Sequence, residues 1–148
     1  MLDPLVVIIH VPAGMVAVFS GAGAMLVEKG SLTHRRCGRI YLAALAVVFL
    51  TGVGLVVLRS PGLAHLFALG TLAAISALVG YRARRRTRPT LHLLAMSFSY
   101  VAMLTAFYVD NGSKLPGWRL LPPVTFWFLP SVVAGPLVAL ALRRRSGG

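Results

Sequence analysis

The side chains in this sequence best suited to bind a cofactor are its four histidines, His10, His34, His65 and His92. Each stands near the N-terminal end of a separate apolar stretch, so four successive helices would carry one imidazole each. Imidazole is a common axial ligand of haem iron, and the cores of helix bundles are common cofactor sites. The distribution of the histidines therefore predicts a haem-binding bundle.

The composition of the chain places these helices in a membrane. The chain has 148 residues, of which 57% are hydrophobic and 12% charged, and its mean hydropathy is +0.82. A soluble domain of this size would leave much apolar surface in water. Lipid offers no hydrogen-bond partner to unpaired backbone N–H and C=O groups, so helices are the expected membrane-spanning elements. We therefore predict an all-α integral membrane helical bundle that forms a single domain over residues 1–148.

Five apolar stretches are each close to the roughly 20 residues that a helix needs to cross about 30 Å of hydrocarbon. They cover approximately residues 4–27, 39–58, 61–81, 91–109 and 124–142. Because the fifth stretch has no histidine, we predict a four-helix core with a peripheral fifth helix.

The basic residues are distributed unevenly over the ends of these stretches. Twelve of the fifteen lie in the first loop, the third loop and the C-terminal tail, and the other three are Arg59, Lys114 and Arg119. The positive-inside rule then places the N-terminus outside and the C-terminus in the cytoplasm of a bacterial inner membrane. The net charge of +12 could also indicate binding to nucleic acid, but short loops between membrane spans are poorly suited to bind in a nucleic-acid groove. Contact with anionic lipid is the better interpretation.

This orientation sorts the four histidines into two pairs. His10 and His65 would share the outer leaflet, and His34 and His92 would share the inner edge. Two imidazoles that face each other across a bundle can hold one haem, so we expect one or two haem b groups with these histidines as the iron ligands. In this register His10 and His65 lie deeper than His34 and His92. We therefore expect the outer pair to hold haem more firmly.

Two further kinds of residue fit a porphyrin near these histidines. Gly14 and Gly38 lie one turn after His10 and His34, where the lack of a side chain would let a flat ring approach the backbone. The inner haem propionates would pair with the nearby arginines, which are Arg35, Arg36, Arg39 and Arg88. Arg59 or Lys114 would serve the outer propionates.

Other interpretations of the same residues are open. Histidines near helix ends can lie in the headgroup region without any ligand, and glycines in membrane helices often serve close packing. His34 and Cys37 could form half of a metal site, with His92 as a third ligand. The chain has only three acidic residues, so carboxylate catalysis and a proton relay through the membrane are poorly supported.

One motif carries a resemblance to a known family. Residues 34–41, HRRCGRIY, have the pattern His-Arg-x-x-Gly-Arg-x-Tyr, and a second histidine-led span follows a basic loop. This arrangement resembles an uncharacterised bacterial family of predicted multi-spanning membrane proteins, over about residues 5–143. The second motif departs from the family pattern, because Leu93 follows His92 where the family has an arginine. The layout of the histidines also resembles dihaem transmembrane b-type cytochromes, by architecture alone.

The function that best fits these features is a membrane b-type cytochrome that passes electrons across or within the bilayer, with a quinol or a redox protein as partner. Whether it also acts as an enzyme is left undecided. One alternative is a non-catalytic subunit or assembly factor of a larger membrane complex, suggested by the small size and short loops. Another is a transporter of small molecules or lipids, suggested by Pro130 and Pro136 in the fifth stretch.

Overall fold

The structure, a computed structural model, describes residues 2–59 and 61–146, with side chains described for 4–57 and 62–144. Five long helices make up most of these ranges, and no strand occurs in them, which confirms the all-α prediction. We number the helices α1 (Leu2–Leu26), α2 (Leu32–Arg59), α3 (Ala64–Arg85), α4 (Pro89–Asn111) and α5 (Thr125–Ser146). Short 3₁₀ turns lie in the connections at Pro61–Leu63, Gly112–Lys114 and Trp118–Leu120.

Each of the five helices contains a segment long and apolar enough to cross a membrane. These segments, found among the described residues, are Pro4–Leu26, Leu32–Val57, Ala64–Arg85, Pro89–Lys114 and Thr125–Arg144. Their mean hydropathies lie between 1.5 and 2.6, so every one of them can serve as a span. α5 continues through Pro130 and Pro136 without a break in the helix.

The start of α2 differs most from the sequence prediction. The helix begins at Leu32 instead of Arg39, so the polar segment THRRCG is helical. Ser31 explains this start, because its hydroxyl accepts a hydrogen bond of 3.1 Å from the backbone N–H of His34. That bond satisfies one of the amides that a helix leaves open at its N-terminus. A search for apolar stretches does not include a polar first turn of a helix, even when that turn is capped.

Contacts divide the chain into two compact units, Met1–Ala74 and Ile75–Gly148, with the boundary inside α3. In the first unit α1 packs along α2. In the second unit α4 packs against α5. The single domain and the peripheral position of α5 stay predictions.

Small residues form much of the interior of each unit, and many large apolar residues lie outside. Ala17 and Ala73 are fully buried in the first unit, and Ser99 is fully buried in the second. In contrast, Leu26 and Val57 are 87% and 79% exposed. In water such a distribution would promote aggregation, whereas in lipid small residues let helices approach each other and large residues contact acyl chains. The side-chain distribution therefore supports a membrane location.

Candidate functional site

His34 fastens the beginning of α2 to the end of α1. Its Nδ1 lies 2.9 Å from the carbonyl oxygen of Ala24, in the last turn of α1. The last carbonyls of a helix lack partners within the helix, so this contact satisfies one of them. Lys29 also donates from Nζ to the carbonyl oxygens of Ala24 and Met25. Burial lowers the pKa of the Lys29 ammonium from its usual value.

His92 makes a corresponding contact between α3 and α4. It is the fourth residue of α4, and its Nδ1 lies 2.8 Å from the carbonyl oxygen of Gly80 on α3. The helices are close here, because a Cβ added to Gly80 would lie 2.8 Å from the side chain of Met96. Each of the two hairpins, α1–α2 and α3–α4, thus has a histidine at the start of its second helix that bonds to the backbone of its first.

His10 contacts α2 through a side chain instead of a carbonyl. Its Nδ1 lies 2.8 Å from Oγ1 of Thr51. That hydroxyl already donates to the carbonyl oxygen of Val47 at 2.7 Å, so it accepts the hydrogen from His10. The ring also lies beside Gly52, where an added Cβ would be 3.7 Å from its Cε1. His10 is half-buried in this α1–α2 contact.

His65 differs from the other three histidines. It is the second residue of α3, and its side chain is exposed, whereas His10, His34 and His92 are half-buried. Because the residues Pro61–Leu63 form a separate 3₁₀ turn and α3 begins at Ala64, His65 lies in the first turn of its helix. The greater depth of His10 and His65 in the membrane stays a prediction.

The hydrogen bonds of His10, His34 and His92 select one tautomer for each ring. A carbonyl oxygen can only accept, so Nδ1 of His34 and of His92 must carry the hydrogen. The same holds for His10, because the Thr51 hydrogen is directed to a carbonyl. In a neutral imidazole of this tautomer Nε2 has the lone pair. This is the nitrogen that a metal takes when the other ring nitrogen is hydrogen-bonded to a backbone carbonyl.

The residues proposed to surround a porphyrin stay predictions, and their surroundings are as follows. An added Cβ on Gly14 or Gly38 would have no atom within 4 Å, so there is open space one turn after His10 and His34. The side chains of the four predicted propionate partners, Arg35, Arg36, Arg39 and Arg88, are exposed. The Arg59 side chain lies outside the described residues. Lys114 lies 3.9 Å from the carboxylate of Asp110.

A metal site built from three protein ligands receives no support. Among the described residues, no three His, Cys, Asp or Glu side chains come together in a way that could hold a metal ion. Cys37 lies instead against α1, where its Sγ would be 3.4 Å from a Cβ added to Gly23. This finding concerns the proposed His34, Cys37 and His92 set, and it does not test haem, which needs only two protein ligands.

The partners of the histidines are the features that sequence reasoning missed. Thr51 could have been noticed as a polar residue within an apolar span. The carbonyl groups of Ala24 and Gly80 could not, because every residue has a carbonyl and only the packing of the helices selects one. The start of α2 at Leu32 was detectable from Ser31, a favoured N-cap residue.

Comparison with known proteins adds one finding. A family model described as "Predicted membrane protein (DUF2306)" matches residues 7–136, which is most of the chain. The comparisons with curated proteins and with solved structures found no match. The family match supports the expected membership in a multi-spanning membrane family, and the likeness of the histidine layout to dihaem cytochromes stays an analogy.

Proposed function

We propose that this chain, which belongs to this family of predicted membrane proteins, is a membrane b-type cytochrome. It would pass electrons through one or two haem b groups, each held by a pair of histidines. The observation that supports this proposal is the contact that Nδ1 of His10, of His34 and of His92 makes with a neighbouring helix. A histidine that donates from Nδ1 in this way coordinates a metal through Nε2.

The four histidines would be the iron ligands, with His10 opposite His65 and His34 opposite His92 by the order of the spans. When bound, haem b supplies a one-electron couple between ferrous and ferric iron. The protein's part is to fix the imidazole planes, since a hydrogen bond from Nδ1 orients a ligating ring and raises the basicity of Nε2. The inner arginines would balance the charge of the propionates.

Burial and hydrogen bonding favour His34 and His92 as the firmer ligands. Both are half-buried and bonded to helix carbonyls, whereas His65 is exposed. We therefore reverse the ranking expected from the sequence. If the protein holds one haem, its binding should depend on His34 and His92 more than on His65. A quinol or a redox protein in the membrane would be the electron partner.

The absorption spectrum of the full chain tests this proposal. The protein is expressed with ample haem supply, purified in detergent and reduced with dithionite, and we expect Soret and α bands of low-spin haem. His34→Ala and His92→Ala should reduce both bands strongly, and His65→Ala should reduce them less. A well-folded wild-type protein without these bands would reject the cytochrome.

A matched pair of variants separates ligation from helix packing. The amide of asparagine can donate a hydrogen bond from a position similar to Nδ1, but it has no counterpart of Nε2. His34→Asn and His92→Asn should therefore keep more of the thermal stability than the alanine variants do, and yet lose haem. Retention of the bands in the asparagine variants would contradict the assignment of Nε2 as the ligand.

The same hydrogen bonds favour a second candidate function, that of a non-catalytic subunit of a larger membrane complex. In that case His34 and His92 would act only as clamps between helices. The protein would show no haem spectrum. The asparagine variants would then keep the function of the complex, and the alanine variants would weaken it through loss of stability.

A further inference from the structure

An open apolar groove runs between α3 and α4 in the second unit. Its volume is about 360 Å³, and it is lined by Ile75, Ser76, Val79, Leu91, Leu94, Ala95 and Phe98. Its large side chains are substantially exposed, including Ile75 at 56% and Phe98 at 52%. Its apolar lining can contact a lipid acyl chain.

The face of α3 that lines the groove carries arginines closer to the end of the helix. On α3, Ile75, Val79, Arg82 and Arg86 follow each other at spacings of four, three and four residues, which places them on one helical face. Arg86 belongs to this face although α3 ends at Arg85, since its backbone N–H still bonds to the carbonyl of Arg82 at 3.1 Å.

Beside them in the chain, Arg88 is the N-cap residue of α4 and stands three residues before Leu91 of the groove lining. The apolar groove and the arginines therefore meet at one end of the hairpin. Arg84 and Arg85 project from other faces of α3, and the guanidinium of Arg85 lies 5.2 Å from the centre of the Tyr81 ring.

The arginines at this end have no acidic residue nearby in the sequence. The hairpin from Ile75 to Val109 contains five arginines and no Asp or Glu. All five arginine side chains are exposed. Short basic segments beside a membrane span attract anionic lipid headgroups, at about 1 kcal/mol per basic residue near the surface. The positive charge of the arginines at the end of the groove therefore favours an occupant with an anionic headgroup.

We propose that one anionic phospholipid binds this hairpin, with its acyl chain in the α3–α4 groove and its phosphate against Arg82, Arg86 and Arg88. The charge selects an anionic headgroup, and the groove selects a lipid over a free phosphate ester. Arg88 is also a proposed partner of the haem propionates, but Arg82, Arg86 and the groove residues are not part of the proposed haem site. Variants at these positions therefore test the lipid site independently of the haem.

Native mass spectrometry of the full chain in detergent tests the headgroup contact. Phosphatidylglycerol and phosphatidylcholine with identical acyl chains are the probes, and wild-type protein should retain the former preferentially. Arg82→Gln with Arg86→Gln should weaken retention of phosphatidylglycerol by about thirtyfold, because two of the charges on the groove face are lost. The matched control is Arg84→Gln with Arg85→Gln, which removes the same charge from the same helix end but from other faces. An equal loss in both double variants would overturn the proposal in favour of diffuse attraction.

A groove-filling substitution tests the acyl contact. Ser76→Phe should reduce retention of phosphatidylglycerol while Arg82 and Arg86 are intact, and Ser76→Leu provides a smaller change if the first variant folds poorly. Elution volume and helical circular dichroism check the fold of each. Undiminished lipid retention by a folded variant of Ser76 would overturn the groove assignment. Glycerol 3-phosphate should not displace the lipid, and effective competition by it would overturn the assignment to a lipid.

Discussion

At the scale of single residues, the Thr51 hydroxyl determines the state of His10. It donates to the carbonyl of Val47 at 2.7 Å and accepts from Nδ1 of His10 at 2.8 Å. One side chain therefore joins α1 to α2 and also selects the imidazole tautomer. A polar residue within an apolar span is costly unless its hydrogen bonds are satisfied, and this pair satisfies each other.

Thr51→Val should destabilise the protein by about 1 kcal/mol, because it replaces the hydroxyl with a methyl group of similar volume and removes the acceptor for His10. Thr51→Ser is the control, since it keeps the hydroxyl at the same carbon. Thermal unfolding of purified protein in detergent measures both. If the valine and serine variants unfold at the same temperature, the His10–Thr51 bond contributes nothing to stability.

At the scale of helices, glycines fix two close approaches within the second unit. A Cβ on Gly112, just after α4, would lie 2.6–2.8 Å from three ring atoms of Phe126 on α5. Phe126 is only 2% exposed, so its ring has little freedom to move away. Gly112 has ordinary right-handed helical backbone angles, with φ −54° and ψ −44°. The glycine is therefore required for space and not for its backbone conformation.

Gly112→Ala should lower the free energy of unfolding by about 1–3 kcal/mol, the usual cost of excess volume in a packed site. Gly14→Ala is the control, because its Cβ would meet open space and alanine favours a helix over glycine by up to about 1 kcal/mol. Denaturation of both variants in detergent provides the comparison. A Gly112→Ala protein as stable as Gly14→Ala would show that α4 and α5 do not pack at this glycine.

The contact between Gly80 and Met96 should behave differently, since the clashing atoms belong to a flexible side chain. Gly80→Ala should cost less than Gly112→Ala, and adding Met96→Ala should remove part of that cost by opening space for the new methyl group. The coupling follows from a double-mutant cycle of unfolding free energies. Strict additivity of the two changes would contradict the close approach of α3 and α4.

At the scale of the whole molecule, what the sequence could predict follows from the physics of the bilayer. The number and class of the helices were predictable, because the thickness of the hydrocarbon region sets the length of an apolar helix. The apolar stretch 39–58 left out the helical residues 32–38, since polar residues at a helix end do not register as apolar. The 3₁₀ turn Pro61–Leu63 before α3 was not predicted, because these residues are continuous with the apolar stretch 61–81 in the sequence.

The candidate site was less predictable than the helices. Histidine positions could be read directly, whereas the tautomers of His34 and His92 depend on backbone carbonyls that packing selects. No periodicity in the sequence distinguishes the carbonyl of Gly80 from that of a neighbouring residue. Gly14 and Gly38 were interpreted as room for a porphyrin, and both have open space beside them, whereas Gly80 serves close packing of helices.

The orientation of the molecule in the membrane is the last prediction. In a chain of five spans the first loop, the third loop and the C-terminus lie on one side, and these segments carry twelve of the fifteen basic residues. Transferring that side across the membrane would oppose the positive-inside bias, so the C-terminus should lie in the cytoplasm. A fluorescent protein fused after Gly148 should be fluorescent, and alkaline phosphatase fused there should be inactive. Phosphatase fused within the loop 115–123 should be active and serves as the control. An active phosphatase at the C-terminus would reverse the orientation and would also place His34 and His92 at the outer face.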